Sequence, residues 1–463
     1  MAQPDKSRTR GAWIDALPEA FLDYLGERRL EEVECIIPDI AGMSRGKAMP
    51  SYKFRPDETF FLPISLFYQT ISGEYVDMAD IEDQWLEKDI VLRPDMDTAT
   101  AVPWADDPTL QVICDLETRE GEPLPIAPRN VLRRVLGLYA ERGWQPVVAP
   151  ELEFYLTKPN VDPNEPIEPP LGRTGRKGAS RQAYSMVAVD EYGEVIDTIY
   201  DFAEAQGLQI DTVIQEGGAG QIEINLRHGD PLLLADQVFY FKRTIREAAL
   251  KNGVFATFMA KPMRDEPGSA MHVHQSVIDA QTGRNIFAAG DGGETDAFRH
   301  FIGGSQRYLL SAVPLLAPYV NSYRRFTTEG MSAPSNLEWA SDNRTTGLRI
   351  PTAPPEARRV ENRVIGIDSN PYLSIAASLA CGYLGMVNRS EPRPPAQHEV
   401  WESELSLPAG LGDALDLFEE GAELRAVLGE EFCRLYGDIK RAEYEEYQRE
   451  ISPWERQHLL LNA

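Results

Sequence analysis

A short segment at residues 150–156, with the sequence PELEFYL, alternates carboxylate and apolar side chains. Successive side chains of a β-strand point to opposite faces, so the apolar residues share one face of a predicted strand. Glu151 and Glu153 share the other face, where each carboxylate raises the pKa of its neighbour unless a cation lies between them. In an isolated segment such a face is usually solvated. This chain, however, repeats the pattern.

Later strands place metal-binding residue types in the same way. Glutamate or histidine lies at alternating strand positions, or just before a strand across a glycine-rich turn. These residues are Glu151, Glu153, Glu216, Glu223, His272, His274 and Glu361. Each has a common structural explanation by itself: Glu361, for example, is flanked by Arg359 and Arg363 and is typical of an ion pair. Together, five glutamates and a histidine suit two hard divalent cations, Mg²⁺ or Mn²⁺, better than a cysteine-rich zinc site.

The second feature is a group of arginines in the C-terminal half. Its members are Arg324, Arg325, Arg344, Arg349, Arg358, Arg359 and Arg363. Planar guanidinium groups bind carboxylates and phosphates through two parallel hydrogen bonds. The P-loop spacing G-x-x-x-x-G-K-[S/T] is absent from the chain. Metals and arginines without such a loop indicate phosphoryl transfer from a nucleotide by clamping and charge neutralisation.

The composition bounds the class of protein. The 463 residues, 43% apolar and 26% charged, predict a folded protein of two or more domains. A net charge of -27 disfavours nucleic acid as a partner. Four scattered cysteines and an N-terminus without a secretory signal predict a cytoplasmic protein with reduced thiols. The most apolar segment, residues 372–387, is too short to span a membrane and predicts a buried helix.

The order of predicted elements indicates an α+β protein divided near residues 121–123. Helices are predicted at residues 13–29, 129–142, 192–206, 230–252, 298–312, 371–387, 410–428 and 436–450. Strands are predicted at residues 32–39, 90–94, 109–115, 150–156, 208–215, 221–226, 255–260 and 272–277. A turn is predicted at residues 42–46, and residues 157–182 are predicted to be a loop.

These motifs resemble the glutamine synthetase superfamily, and within it the γ-glutamylpolyamine (glutamate–putrescine) synthetase branch. The matching segments are residues 150–156, 216–226, 258–274, 321–325, 343–351 and 358–363. The resemblance implies an N-terminal β-grasp domain at residues 1–122. It also implies a catalytic domain at residues 123–463, with an antiparallel, barrel-like sheet and flanking helices. Finally, it implies a homododecamer of two hexameric rings, with active sites between neighbouring subunits.

The resemblance also implies the roles of single residues. One metal site would use Glu153, Glu216 and Glu223, and the second Glu151, His272 and Glu361. ATP would contact His274, Arg344, Arg349 and Arg359, and glutamate would contact Gly268, Arg325 and Arg363. Arg344 and Glu329 are the catalytic candidates. In the implied reaction ATP phosphorylates the γ-carboxylate of L-glutamate, and an amine then attacks the γ-glutamyl phosphate.

The chain departs from ammonia-using members of this family where those bind ammonium. Their N-terminal domain supplies an aspartate, whereas the corresponding residues 60–67, FFLPISLF, contain no acid. Their glutamate before an Ala-Pro pair is replaced by Ser332, and the nearest acid is Glu329. An apolar segment cannot stabilise a small ammonium ion and leaves room for an alkyl chain. We therefore expect an organic amine as the nucleophile.

The leading hypothesis is an ATP-dependent glutamate–polyamine ligase of polyamine catabolism, acting on putrescine, spermidine or spermine. A monoamine ligase is the next alternative, because nothing in the sequence locates a second pocket for an ammonium group. On sequence position alone, Trp339 and Glu329 are candidates to line such a pocket. Ordinary glutamine synthetase is disfavoured by the two missing acids. A catalytically silent polyamine- or glutamate-binding regulator is disfavoured by the intact set of carboxylates.

Overall fold

The computed structural model describes residues 13–77, 88–326 and 333–463. The predicted fold class is confirmed: the protein is α+β, with two sheets, of which the second is nearly closed into a barrel. The two sheets lie on either side of residue 122 in the sequence. The domain boundary itself stays a prediction.

The first sheet is formed by the N-terminal part of the chain. Its strands are β1 (Glu32–Pro38), β2 (Ser44–Pro50), β3 (Phe60–Pro63), β4 (Asp89–Pro94), β5 (Thr100–Ala101) and β6 (Thr109–Glu117). Their order is β2-β1-β6-β4-β3, with β5 beside β6, and only β1 and β6 run parallel. The turn predicted at residues 42–46 is shorter than expected, because β2 begins at Ser44 and pairs with β1 along its length.

The second sheet carries the carboxylate-rich strands. They are β7 (Trp144–Thr157), β8 (Ile210–Gln215), β9 (Gln221–Leu226), β10 (Phe255–Thr257), β11 (Met271–Asp279), β12 (Trp339–Ser341), β13 (Leu348–Ile350) and β14 (Val360–Asn362). Their order is β12-β13-β14-β11-β7-β9-β8, with β10 beside β7. All neighbouring strands are antiparallel except β12 and β13.

Helices pack around both sheets. They are α1 (Glu19–Leu25), α2 (Pro128–Ala140), α3 (Met186–Glu191), α4 (Gly193–Gln206), α5 (Pro231–Lys251), α6 (Asp296–Leu316), α7 (Val320–Tyr323), α8 (Pro371–Asn388), α9 (Leu411–Glu420), α10 (Ala422–Leu428), α11 (Glu430–Gln448) and α12 (Pro453–Leu459). The helix predicted at residues 13–29 is shorter than expected: α1 begins after Pro18, which lacks the backbone N–H needed to continue a helix from the preceding turn. The helix predicted at residues 410–428 is divided at Gly421 into α9 and α10.

Helix α8 is the buried helix expected from its composition. A Cβ atom added at Gly304 of α6 would lie 2.3 Å from the Cα of Gly385 in α8, so the two backbones meet directly. Such close packing requires glycine at both positions. Within the described residues, no helix combines the length and apolar character that crossing a membrane requires.

A buried arginine connects the first sheet to the helices around the second. Arg129 of α2 has a side chain 5% exposed, and its guanidinium forms ion pairs with Asp236 of α5 (2.7 Å), Asp95 (2.8 Å) and Asp115 of β6. The hydroxyl of Tyr372 donates to Asp236 at 2.7 Å. The acids belong to different parts of the chain, so this one cation holds them in a single arrangement.

Replacing Arg129 with methionine should lower the free energy of unfolding by about 3–5 kcal/mol, because it leaves buried carboxylates without their cation. Arg133→Met is the matched control. Arg133 also pairs with Asp115, but its side chain is 35% exposed, so its loss should cost less than about 1 kcal/mol. Urea unfolding followed by tryptophan fluorescence measures both. Equal losses in the two variants would contradict the role assigned to Arg129.

Candidate active site

Strand register brings the predicted metal ligands onto one face of the second sheet. The facing pairs are Glu151–His272 between β7 and β11, Glu153–Glu223 between β7 and β9, and His274–Glu361 between β11 and β14. The side chains alternate along each strand, so these residues share a face while their apolar neighbours enter the core on the other. Leu152, Phe154 and Leu156, for example, are fully buried.

His272 lies among three carboxylates. Its Nδ1 atom is 3.3 Å from Glu151 Oε2, 3.8 Å from Glu153 Oε1 and 3.9 Å from Glu361 Oε1. Burial and the positive charge of Arg363 lower the pKa of His272 to about 4. The imidazole is therefore neutral at pH 7, which is the form that binds a metal ion.

Glu216 reaches the cluster from the glycine-rich turn before β9. A Cβ atom at Gly218 would lie 2.0 Å from the Tyr155 hydroxyl, and Gly220 has a φ of +78°, so the turn requires glycine at both positions. Glu216 lies close enough to Glu223 for each carboxyl to influence the pKa of the other. The predicted convergence of these two carboxylates is therefore present in the structure.

The acids of the cluster divide into two electrostatic groups. Burial, together with the negative charge of neighbouring carboxylates, raises the pKa of Glu153 to about 8 and that of Glu223 to about 9. Burial also raises the pKa of Glu216. Burial alone would raise the pKa of Glu151 as well, but hydrogen bonds from His272 and His274 outweigh it and hold the pKa below its ordinary value. In the first group burial outweighs the nearby arginines, whereas in Glu151 the histidine hydrogen bonds outweigh burial.

The donor set fits hard divalent cations. Ligand atoms lie within 4.8 Å of one another in two groups, Glu151–His274–Glu361 and Glu151–Glu223–His272. These groups differ from the sets implied by the resemblance, since His274 joins Glu361 and neither Glu153 nor Glu216 is included. One oxygen of Glu153 is engaged elsewhere, since its Oε2 accepts the Ala270 N–H at 2.8 Å, while its Oε1 stays 3.8 Å from His272 Nδ1. Carboxylate and imidazole donors of this kind suit Mg²⁺ or Mn²⁺.

The arginines beside Glu361 are not the two neighbours expected from the sequence. Arg363 does pair with Glu361, but the second partner is Arg349 of β13, whose Nη1 is 2.8 Å from Glu361 Oε2. Arg359 does not pair with Glu361: its Nε donates to His274 Nδ1 at 3.1 Å, and its assignment to ATP stays a prediction. Arg349 faces Glu361 across the β13–β14 pair, a proximity that sequence spacing does not reveal.

The predicted glutamate-binding residues also lie together. Arg325 is 2% exposed, and its Nη2 donates to the carbonyls of Arg363 (3.1 Å) and Val364 (2.7 Å). A Cβ atom at Gly268 would lie 2.2 Å from Arg325 Cγ, so any other residue there would collide with the Arg325 side chain. Asp368 was missed in the sequence. It attracts Arg325 electrostatically and accepts a hydrogen bond from the Ser322 hydroxyl.

The other residues singled out in the sequence lie outside the carboxylate cluster or outside the described residues. Arg344 is exposed between β12 and β13, and its positive charge lowers the pKa of Glu216, although burial dominates that carboxyl. Trp339 is 4% exposed, and its indole N–H donates to the Arg393 carbonyl at 2.7 Å, so it packs in the core. Glu329 and Ser332 lie outside the described residues.

Comparison with known proteins identifies the class of this site. The family model of the glutamine synthetase catalytic domain matches residues 125–459. The chain therefore belongs to the glutamine synthetase family, and it is a ligase of that family.

Three similar proteins place the chain within the family more closely. It is 35% identical to γ-glutamylputrescine synthetase PuuA of Escherichia coli (strain K12), over 93% of this chain and 92% of that protein. It is 32% identical to a glutamate–isopropylamine ligase of a Pseudomonas species, over 94% and 95%. The solved structure of apo GmaS without ligand superposes with a TM-score of 0.78 at 26% identity, over 96% and 99%. Two of these relatives are named as ligases of glutamate and an organic amine.

The raised pKa values of Glu153 and Glu223 predict a pH dependence of the metal-free protein. Each folded-state pKa exceeds that of the unfolded chain, so the stabilisation is complete below about pH 4 and is lost as the pH rises through 8 to 9. The melting temperature of the metal-free protein should therefore fall between pH 5 and pH 9. Mn²⁺ at about 100 times its Kd should add about 2.7 kcal/mol. Differential scanning calorimetry measures both effects.

Glu223→Gln is the diagnostic variant for this electrostatic account. Its amide stays neutral, so the metal-free variant should lose less stability at high pH and gain less from Mn²⁺ than the unmodified protein. Glu165→Gln, on an exposed loop, is the matched control and should change neither property. A Glu223→Gln protein stabilised fully by Mn²⁺ would refute the place of Glu223 in the metal site.

Proposed function

We propose that this protein is an ATP-dependent ligase that joins the γ-carboxylate of L-glutamate to an organic amine, with putrescine, spermidine or spermine as the preferred class. The observation that carries the proposal is the convergence of four glutamates and two histidines on one face of the barrel-like sheet, with Glu216 from the adjoining turn and with Arg325 and Arg363 beside them. The match to two amine ligases over nearly the full chain supports it.

The chain's own residues divide the chemistry between them. Glu151, Glu153, Glu216, Glu223, His272 and Glu361 would hold two or more Mg²⁺ or Mn²⁺ ions. All of these except Glu153 and Glu216 belong to the two groups of closely spaced ligand atoms. When bound, these cations neutralise phosphate charge. His274, Arg344, Arg349 and Arg359 would bind the phosphates of ATP through guanidinium and imidazole donors. Gly268, Arg325 and Arg363 would bind glutamate, and a buried arginine that is already oriented loses little freedom when it binds a carboxylate.

Phosphorylation of glutamate would make an acyl phosphate, and the amine nitrogen would then displace phosphate from it. In such a reaction Arg344 is well placed to act as a catalytic residue, because its exposed guanidinium acts electrostatically on Glu216. Glu329, which lies outside the described residues, is the second catalytic candidate, for deprotonation of the amine.

The choice of an organic amine rests on the N-terminal domain. Residues 60–67 form β3 and a following 3-10 turn, with no acidic side chain among them. Phe61 is 44% exposed on β3. In a homododecamer of two hexameric rings, which we propose as the assembly of this cytoplasmic enzyme, such an apolar edge would line the amine pocket of a neighbouring subunit. Burial of an alkyl chain there would be favourable, whereas an ammonium ion has no apolar surface to bury.

The amine assignment is tested by phosphate release with glutamate, ATP and Mg²⁺, offering putrescine, spermidine, spermine, isopropylamine and ammonium in parallel. A polyamine should give a kcat/KM at least about tenfold above that of ammonium, since methylene burial separates the substrates. Mass spectrometry identifies the γ-glutamyl product. Preference for isopropylamine would indicate a monoamine ligase instead. Activity with ammonium alone would refute the proposal, as would no release with any amine.

The glutamate site predicts a selective defect in Arg325→Lys. The ammonium group of the new lysine cannot make both carbonyl contacts of Arg325 and also bind a carboxylate through two hydrogen bonds. The KM for glutamate should therefore rise at least about tenfold. The KM for ATP should change much less. Arg324→Lys is the matched control, because Arg324 is exposed and donates to the Tyr447 hydroxyl. Steady-state kinetics distinguish the two, and equal KM values for glutamate would contradict the assignment.

A further inference from the structure

A second cavity lies behind the catalytic sheet, away from the carboxylate cluster. Its volume is about 610 Å³, within the range of small-molecule sites. The β1–β2 turn at residues 41–44 forms one wall, and helix α5 with the residues after β10 forms another. Phe258 in this wall packs against Phe154 of β7, with ring centroids 5.7 Å apart. The cavity therefore joins the N-terminal part of the chain to the outer side of the strand that carries Glu151 and Glu153.

Three cationic side chains of α5 line this cavity, and two of them are already engaged. Lys242 is buried and donates to the carbonyls of Ile367 and Ser369. Arg243 pairs with Glu34 and lies over the ring of Trp104. Both cations are thus held by the protein itself.

Arg246 is different. Its guanidinium lies 4.8 Å from the centroid of the Phe258 ring, which orients it. Across residues 13–77, 88–326 and 333–463, no carboxylate is within ion-pair distance of Arg246. The acid that lines the cavity, Asp368, is attracted to Arg325 and Lys242. One positive charge at the cavity is therefore left for a ligand.

The rest of the wall is largely apolar. Its apolar side chains are Met43, Ile71, Phe239, Phe258 and Met259. A ligand with an apolar body would be bound favourably here, because binding buries its apolar surface against these side chains. Burial lowers the pKa of Lys242 to about 7, so a negative charge bound nearby would favour its protonated form.

We infer that this cavity is a binding site for a small carboxylate with an apolar body, distinct from the catalytic site. The carboxylate pairs with Arg246 at the mouth, and the apolar body occupies the space between Phe239 and Phe258. A single unmatched guanidinium favours one negative charge, and the rings favour an aliphatic or aromatic body over a sugar.

The cavity is linked through Asp368, one of its lining residues, to Arg325 of the proposed glutamate site. Asn321, which lines the cavity, donates to the carbonyl of Lys261 at 2.9 Å and accepts its N–H at 2.9 Å. Asp368 lies beside Arg325: a Cβ atom at Gly366 would be 2.4 Å from Asp368 Oδ1 and 3.0 Å from Arg325 Nη1. A ligand that shifts Asp368 would therefore shift Arg325. This regulatory part of the inference rests on the proposed role of Arg325 in binding glutamate.

Isothermal titration calorimetry on the full chain tests binding without any enzymatic activity. The probes are 4-phenylbutyrate and its neutral analogue 4-phenylbutanamide. The acid should bind at least about tenfold more tightly than the amide, and Arg246→Gln should abolish that difference. Arg142→Gln, at an exposed site elsewhere, is the matched control and should preserve it. Ser44→Trp, which fills the cavity from the exposed β1–β2 turn, should weaken both probes.

Equal affinity for acid and amide, or an acid affinity unchanged in Arg246→Gln, would overturn the site. Coupling is then measured as the KM for glutamate with and without saturating 4-phenylbutyrate. It should change in the unmodified enzyme and stay constant in Arg246→Gln. Binding without any change in KM would refute the coupling to Arg325 and leave the site intact. A protein inactive with every amine would refute the proposed function, while the calorimetry would still decide the site.

Discussion

Like-charge repulsion among buried carboxylates is the constraint on which the catalytic half of the structure depends. Glu153 and Glu223 face each other across β7 and β9, and both are almost fully buried. Burial and the negative charge of neighbouring carboxylates raise the pKa of Glu153 to about 8 and that of Glu223 to about 9, so the metal-free arrangement holds protons at neutral pH. In the proposed function, cations in the cluster would replace those protons and convert the repulsion into attraction. The sheet therefore supplies a site whose electrostatics metal ions would complete.

The arginines around this cluster have two distinct physical roles. Arg349 and Arg363 both pair with Glu361. Burial would raise the pKa of Glu361, but the charges of Arg363 and of the two histidines hold it below the ordinary value. Arg325 instead is held by two backbone carbonyls. Among the described residues it forms no ion pair with a carboxylate of the cluster. An arginine that is held in this way has its orientation determined before a ligand arrives, which lowers the entropic cost of binding a carboxylate.

The sequence predicted the elements of the catalytic sheet well because its strands alternate strictly. The strand at residues 221–226 has the predicted bounds, and those around Glu151 and His272 were correct in position though shorter than observed. Short strands without alternation were missed: β12 and β13 have three residues each and depend on neighbours distant in the chain. The break in residues 410–428 at Gly421 was also missed, because the apolar spacing continues across it.

The residue types and their alternation by themselves indicated the candidate metal ligands, because several strands repeat glutamate or histidine on one face, and the family followed from the resemblance of these motifs. Only the tertiary structure decided which of them meet. Besides the neighbouring Arg363, Glu361 pairs with Arg349 and not with Arg359, because β13 pairs with β14, and that pairing is a long-range choice. The cavity at Arg246 likewise exists only because the β1–β2 turn packs near α5, more than 190 residues away. Local sequence determines the direction of a side chain within its element, whereas packing between elements determines what that side chain contacts.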